Sequence, residues 1–245
     1  GDFEFDPDEG FGEASLYVGD QPASTNKSSS VKVYPASDFE MSYSDPFTVS
    51  TWAKADTSIQ YYWGSIIHLG YLWNEANYGG WWLSAPYNSL ECYLDDKGTS
   101  DANSAYHNMG AGDIFDGDWH MVTCVYDGAG DMSMYFDGVL VTTTTHPSST
   151  KQVGNSSMVS SPSNPDHTFQ IGDRGDGGAR WGGWIDETMI FDTEFSAQDV
   201  AQLYTWDKDD MGFSDTTIVA GTTYSYLAMM DSSFMRDVGG LTKKV

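Results

Sequence analysis

The chain has 245 residues, with 36 acidic against 11 basic side chains and a formal net charge of −25. A field of that sign opposes nucleic acid and anionic bilayers as partners and favours cations, through carboxylate ligands for calcium or through solubility in saline surroundings. No apolar run is long enough for a membrane-spanning helix, so membrane insertion is not expected, and Gly1, with no initiator Met or leader before it, reads as the start of a processed or excised segment.

Gly, Ser, Asn and Asp recur about every ten residues, and the segments between them alternate or are β-branched and aromatic, as in an all-β chain of short antiparallel strands. In chain order, strands are predicted at 15–18, 31–34, 46–54, 65–70, 80–84, 89–95, 119–126, 132–141, 168–172 and 184–192. The clearest unit is the hairpin within 115–140. Val122, Cys124 and Tyr126 share one face of its first strand, and Met132, Met134 and Phe136 share one face of its second. A Gly-rich turn from Asp127 to Asp131 joins them, and Asp137-Gly138 signals another turn. Trp52 and Tyr135 fall on the less apolar faces of their strands, where a concave groove could form. Residues 142–167 are rich in Ser, Thr, Asn and Pro and read as a long surface loop.

One helix is predicted. Ser196 caps it, Asp199 suits its positive end, and Val200, Leu203 and Tyr204 line one side as far as Trp206. The domain organisation is therefore 1–206 as the main domain and 207–245 as a C-terminal extension bearing strand-like runs. Cys92 and Cys124 each sit on an apolar strand face. Buried free thiols are the favoured reading, and a bridge, which would mark an oxidising compartment, is the alternative.

Aromatic residues crowd 61–87, and sugar rings stack on exposed indoles and phenols while Asn and Asp hold their hydroxyls. Trp81 and Trp82 must face opposite ways on one strand, so one of them is buried. Trp73, Asn74 and Tyr78, in a loop, together with Trp181 in a later loop, are the candidate glycan-binding residues. Asp186 and Glu187 sit in an otherwise apolar strand, so at least one carboxylate is partly buried and needs a partner, such as Arg180, Arg174 or backbone amides. No catalytic residue is assigned. Glu91 and Asp95 share a strand face but stand four residues apart, about 13 Å at strand rise, too far for a retaining glycosidase pair. His68 reads as a structural histidine rather than a base. Ser-His-Asp, phosphate-loop and zinc patterns are absent from the sequence.

Three stretches carry a resemblance: Phe47-Thr-Val-Ser-Thr-Trp-Ala-Lys54; Asp118-Trp-His-Met-Val-Thr-Cys-Val-Tyr-Asp127 with Met134-Tyr-Phe-Asp-Gly-Val-Leu140; and Phe169-Gln-Ile-Gly-Asp173 leading to Gly183-Trp-Ile-Asp-Glu-Thr-Met-Ile-Phe191 and the Ser196 helix. In order and spacing they resemble a laminin-G-like domain of the concanavalin A-like lectin and glucanase superfamily. The resemblance implies a two-sheet antiparallel jelly-roll sandwich with one short C-terminal helix and a strand-bearing tail. It also implies a structural calcium held by Asp186 with backbone oxygens near Gly19 and Asp20. The opening strand of such domains is missing here, Phe3–Gly12 resembling the loop that follows it. Residues from Tyr224 to Gly239 resemble that strand displaced to the C-terminus, where it would fill a vacant sheet edge in its own chain or a neighbouring copy.

The function expected from the whole is a non-catalytic recognition or adhesion module on an extracellular, cell or virion surface, binding glycans or a surface protein with calcium support. A virion structural protein assembling with neighbouring subunits is the alternative, and a polysaccharide-degrading enzyme the third reading.

Overall fold

The computed structural model describes residues 3–6, 15–18, 31–33, 44–58, 63–70, 80–86, 89–95, 103–108, 114–145, 168–173 and 180–209. Thirteen strands and one helix occupy the described residues. The first seven strands are β1 (Phe3–Asp6), β2 (Ser15–Val18), β3 (Val31–Val33), β4 (Phe47–Ala55), β5 (Trp63–Gly70), β6 (Gly80–Pro86) and β7 (Ser89–Asp95). They are followed by β8 (Asn103–Asn108), β9 (Trp119–Tyr126), β10 (Asp131–Phe136), β11 (Val139–Thr145), β12 (Thr168–Ile171), β13 (Gly183–Phe191) and α1 (Ala197–Asp209). Hydrogen bonding sorts the strands into a seven-stranded sheet, β1-β2-β13-β4-β9-β10-β11, and a six-stranded sheet, β3-β12-β5-β6-β7-β8. The pairings are antiparallel throughout. This is the two-sheet jelly-roll sandwich with one short helix. No described helix is long and apolar enough to cross a membrane.

Strand alternation builds the core. Phe47, Val49, Ala53 and Ala55 of β4, Val122, Cys124 and Tyr126 of β9 and Met132 and Met134 of β10 turn inward. They meet Ile67, Leu69, Trp81, Leu83, Leu90 and Cys92 from the other sheet. At the hairpin turn, one oxygen of Asp127 accepts the amides of Ala129, Gly130 and Asp131 at 2.6–2.9 Å, which is why this polar stretch closes tightly.

A second apolar cluster lies on the far face of the seven-stranded sheet. Trp52, Met121, Val125, Tyr135 and Met189 are sealed there by Phe195, Val200 and Leu203. The helix starts where the sequence places it: Ser196 and Asp199 cap each other, the Asp199 amide donating to Ser196 Oγ and the Ser196 amide and hydroxyl to Asp199 Oδ2. Trp52, 2 % exposed, stacks on Tyr204 with centroids 5.5 Å apart, and Tyr135 is equally covered, so neither lines an open groove. α1 needs an apolar bed of its own, and these side chains supply it.

Four expectations about elements are corrected. The run 132–141 is two strands, because Asp137-Gly138 turns the chain between β10 and β11. β11 then continues to Thr145, into the predicted loop. β1 forms an edge strand through 3–6, where a loop was expected after a missing opening strand. β8, Asn-Ser-Ala-Tyr-His-Asn, carries no alternating apolar signal and was not predicted; its pairing with β7 makes it a strand. Residues 210–245, with the proposed displaced strand, lie outside the described residues.

Candidate functional site

With one face of the seven-stranded sheet in the core and the other under α1, the face of the six-stranded sheet turned away from the core is where convergent polar and aromatic side chains gather. Register fixes its layout. Gln170 of β12 pairs with His68 of β5, His68 with Trp82 of β6, and Trp82 with Tyr93 of β7. One step along the strands, Ser65 pairs with Ser84 and Ser84 with Glu91. The β5 bulge at Ile66 keeps both rows on the same face while Ile66 and Ile67 enter the core.

The rings of the first row stand side by side. Trp82 and Tyr93 stack at 3.8 Å and 14°, and His68 stacks on Trp82 at 5.6 Å. Trp81, the neighbour of Trp82, is in the core, as alternation requires. Glu91 accepts hydrogen bonds from the Trp82 indole and from Ser84 Oγ, the latter at 3.4 Å. Burial pushes its carboxyl above the usual carboxylate range, and those two bonds only partly offset the effect. Ser65 Oγ is buried and has no hydrogen-bond partner among the described residues. At the end of this row an isolated bridge joins Asp173 to Arg180, whose Nε lies 3.4 Å from Asp173 Oδ2. Arg180 Nε and Nη1 are buried, Nε in that ion pair and Nη1 without a hydrogen-bond acceptor among the described residues.

Of the sequence-predicted residues, Trp181 is a correction. It is 1 % exposed, stacks on Phe115 at 5.9 Å, and donates its indole N–H to the Trp184 carbonyl at 3.2 Å. Gly64 makes room for it, since a Cβ there would stand 2.9 Å from its ring. The ring is core and offers no face to a sugar. Trp73, Asn74 and Tyr78 lie outside the described residues, as do Gly19 and Asp20.

Asp186 satisfies itself locally. Its Oδ1 accepts the Glu187 amide at 2.9 Å and its carbonyl accepts the Thr51 hydroxyl at 3.1 Å, while Arg180 pairs with Asp173 instead. Val18, the residue before Gly19, pairs with Gly183, three residues along β13 from Asp186, or about 10 Å at strand rise. Calcium ligands must converge to about 2.5 Å from the ion, and no acidic or histidine cluster among the described residues does so. Gly19 and Asp20, whose backbone oxygens the implied site calls on, lie outside the described residues, which supply Asp186 alone of that set.

Glu91 and Asp95 sit opposite Ser84 and Gly80, four residues apart as the sequence indicated, and the buried Asp173 is paired with Arg180. Sequence reasoning missed Trp82, Tyr93, Ser84, Gln170 and Ser65 as a group. Each was visible on a strand, but only the pairing of β12, β5, β6 and β7 sets them side by side.

Comparison with known proteins agrees with the fold. The chain resembles the solved binding domain of botulinum neurotoxin serotype G, with 19 % identity, a TM-score of 0.58, and coverage of 85 % of this chain and 45 % of that one. It likewise resembles the serotype D/C VPI 5993 binding domain (17 %, TM-score 0.58, covering 84 % and 46 %) and that of Paraclostridial Mosquitocidal Protein 1 (14 %, TM-score 0.57, covering 82 % and 45 %). The chain thus spans less than half the length of these structures. No curated protein matches its sequence. The family model of the concanavalin A-like lectin/glucanases superfamily matches residues 25–201, well over half of the chain. The protein is a laminin-G-like member of the concanavalin A-like lectin and glucanase superfamily.

Proposed function

We propose that this chain is a recognition module that binds a glycan on the outward face of its six-stranded sheet. One observation carries the reading: Ser65 Oγ, buried without a hydrogen-bond partner among the described residues, shares that face with the His68–Trp82–Tyr93 ring stack and Glu91. A buried donor without an acceptor is costly, and a hydroxyl-rich ligand relieves it. Connectivity supports the same place. The chain leaves β5 two residues after His68 and enters β6 two residues before Trp82, so the connection bearing Trp73, Asn74 and Tyr78 starts and ends beside the ring stack.

The solved relatives lend support of a general kind. A botulinum neurotoxin DC binding domain is known in complex with SialylT and in complex with rat synaptotagmin II, and type C cell entry depends on two ganglioside molecules. Surface binding, with glycan or protein as partner, is the role this chain would share, in an extracellular or cell-surface setting.

The test is a glycan array probed with the full chain and with Trp82→Ala and Trp73→Ala. Saturable binding that falls at least tenfold in Trp82→Ala is expected. Silence across neutral and acidic glycans, or binding indifferent to both substitutions, would overturn the proposal.

A further inference from the structure

Cys92 and Cys124 occupy opposite layers of the sandwich. Cys92 lies on β7, flanked in register by Leu83 and Ala105, and Cys124 on β9, flanked by Val49 and Met134. Both point into the same core cluster and both are buried. Stacked sheets usually lie about 10 Å apart. Here Cα atoms of β8 come within 8 Å of those of β10 and β11, so the layers converge at this edge. β7 is the strand next to β8, and β9 the strand next to β10. Cys92 thus stands across the core from Cys124 near that edge, and its thiol has the Cys124 thiol as a neighbour.

We propose that Cys92 and Cys124 are a modification site: they oxidise to a disulfide that staples the two sheets across the core. A small-molecule disulfide such as oxidised glutathione serves as oxidant. One cysteine thiolate displaces one glutathione thiol to give a mixed disulfide, and the second thiolate then displaces the other. One S–S bond is broken and one formed, the two cysteine thiol protons pass to the two displaced glutathione thiolates, and glutathione takes the two electrons. In the finished fold, burial pushes the Cys92 thiol well up, with the neighbouring Cys124 and the charge of Glu91 adding to it, so little thiolate exists to start the exchange. The bond therefore forms during folding, before the layers close, and the reduced folded pair is inert. Such a staple suits a surface module made in an oxidising compartment, but it does not depend on glycan binding.

The experiment uses the full chain, refolded from denaturant with reduced and oxidised glutathione, then unfolded with an alkylating reagent and weighed. The expected result is a mass lower by about 2 Da than that of the reduced chain, no alkylation, and a linked peptide pair holding Cys92 and Cys124. Reductant should lower the melting temperature of that material by about 10 °C and leave a Cys92→Ala/Cys124→Ala variant unmoved. Two alkylated cysteines, glutathione retained on each, or links between chains would overturn the proposal, as would a bridged chain whose melting ignores reductant.

Discussion

Asp137 grips His120 with one carboxylate oxygen, Oδ2 to Nδ1 at 2.9 Å, and the Met121 amide with the other at 3.0 Å, so a single turn residue fixes both the ring and the strand beside it. The other ring nitrogen faces Asp116 Oδ1 at 3.2 Å, and the ring stacks on Phe136 at 4.6 Å. Asp137 adopts φ +50°, a left-handed conformation that Asp and Asn tolerate better than most residues, and this lets it reach back to β9.

This grip sets a pH dependence. Burial would by itself lower the His120 pKa, but the hydrogen bonds and charges of Asp137 and Asp116 outweigh it and hold the ring above its usual 6.5. A raised histidine pKa stabilises the fold below about pH 6.5, and that contribution is lost as pH rises through the folded-state value. Stability from this site should therefore fall as pH rises above about 6.5. Asp137→Asn keeps the backbone conformation and should flatten that slope; an unchanged slope in thermal melts across the range would count against the assignment.

Glu187 holds φ +43° at the bulge in β13, and its half-buried carboxyl is raised by desolvation. Glu187→Gly removes both costs and should stabilise the chain by about 1 kcal/mol at pH 7, despite adding backbone freedom to the unfolded state. Urea unfolding decides it: a lower midpoint at equal slope would show that this carboxyl has a stabilising task.

Gly183 joins β13 to β2 and β4 at φ +146°, and a Cβ there would run into the Lys54 carbonyl and stand 2.8 Å from the Asp56 amide nitrogen. The obstacles are backbone, which cannot swing aside. Gly183→Ala should cost about 3 kcal/mol. A melting temperature within 2 °C of the parent, roughly the effect of 1 kcal/mol or less in a chain this size, would show that the junction yields.

Ser65→Ala separates stability from recognition. Removing a buried hydroxyl with no partner among the described residues should leave stability unchanged or raise it by up to about 1 kcal/mol. Binding of whichever glycan the array identifies should weaken at the same time. Loss of stability on substitution would mean that Ser65 is held by a contact within the fold.

Much of the architecture was legible because strand alternation and turn chemistry are local. The Asp127–Asp131 turn, the inward faces of β9 and β10, the opposed Trp81 and Trp82 and the Ser196 cap all follow from neighbours in sequence. The misses at β1, β8, Trp52 and Tyr135 share one cause. β1 and β8 are strands by virtue of their partners, and Trp52 and Tyr135 are buried because α1, far along the chain, lies over them.

The sequence by itself determined the class of fold, the family and the acidic surface, since period-two alternation, turn residues and charge are written within a few residues of one another. Only the tertiary structure decided that Trp181 is core, that Cys92 faces Cys124, and that His68, Trp82, Tyr93, Ser65 and Glu91 share one face. Those relations depend on which strands pair and in what register, and register is settled by burial across the whole sandwich rather than by any segment alone.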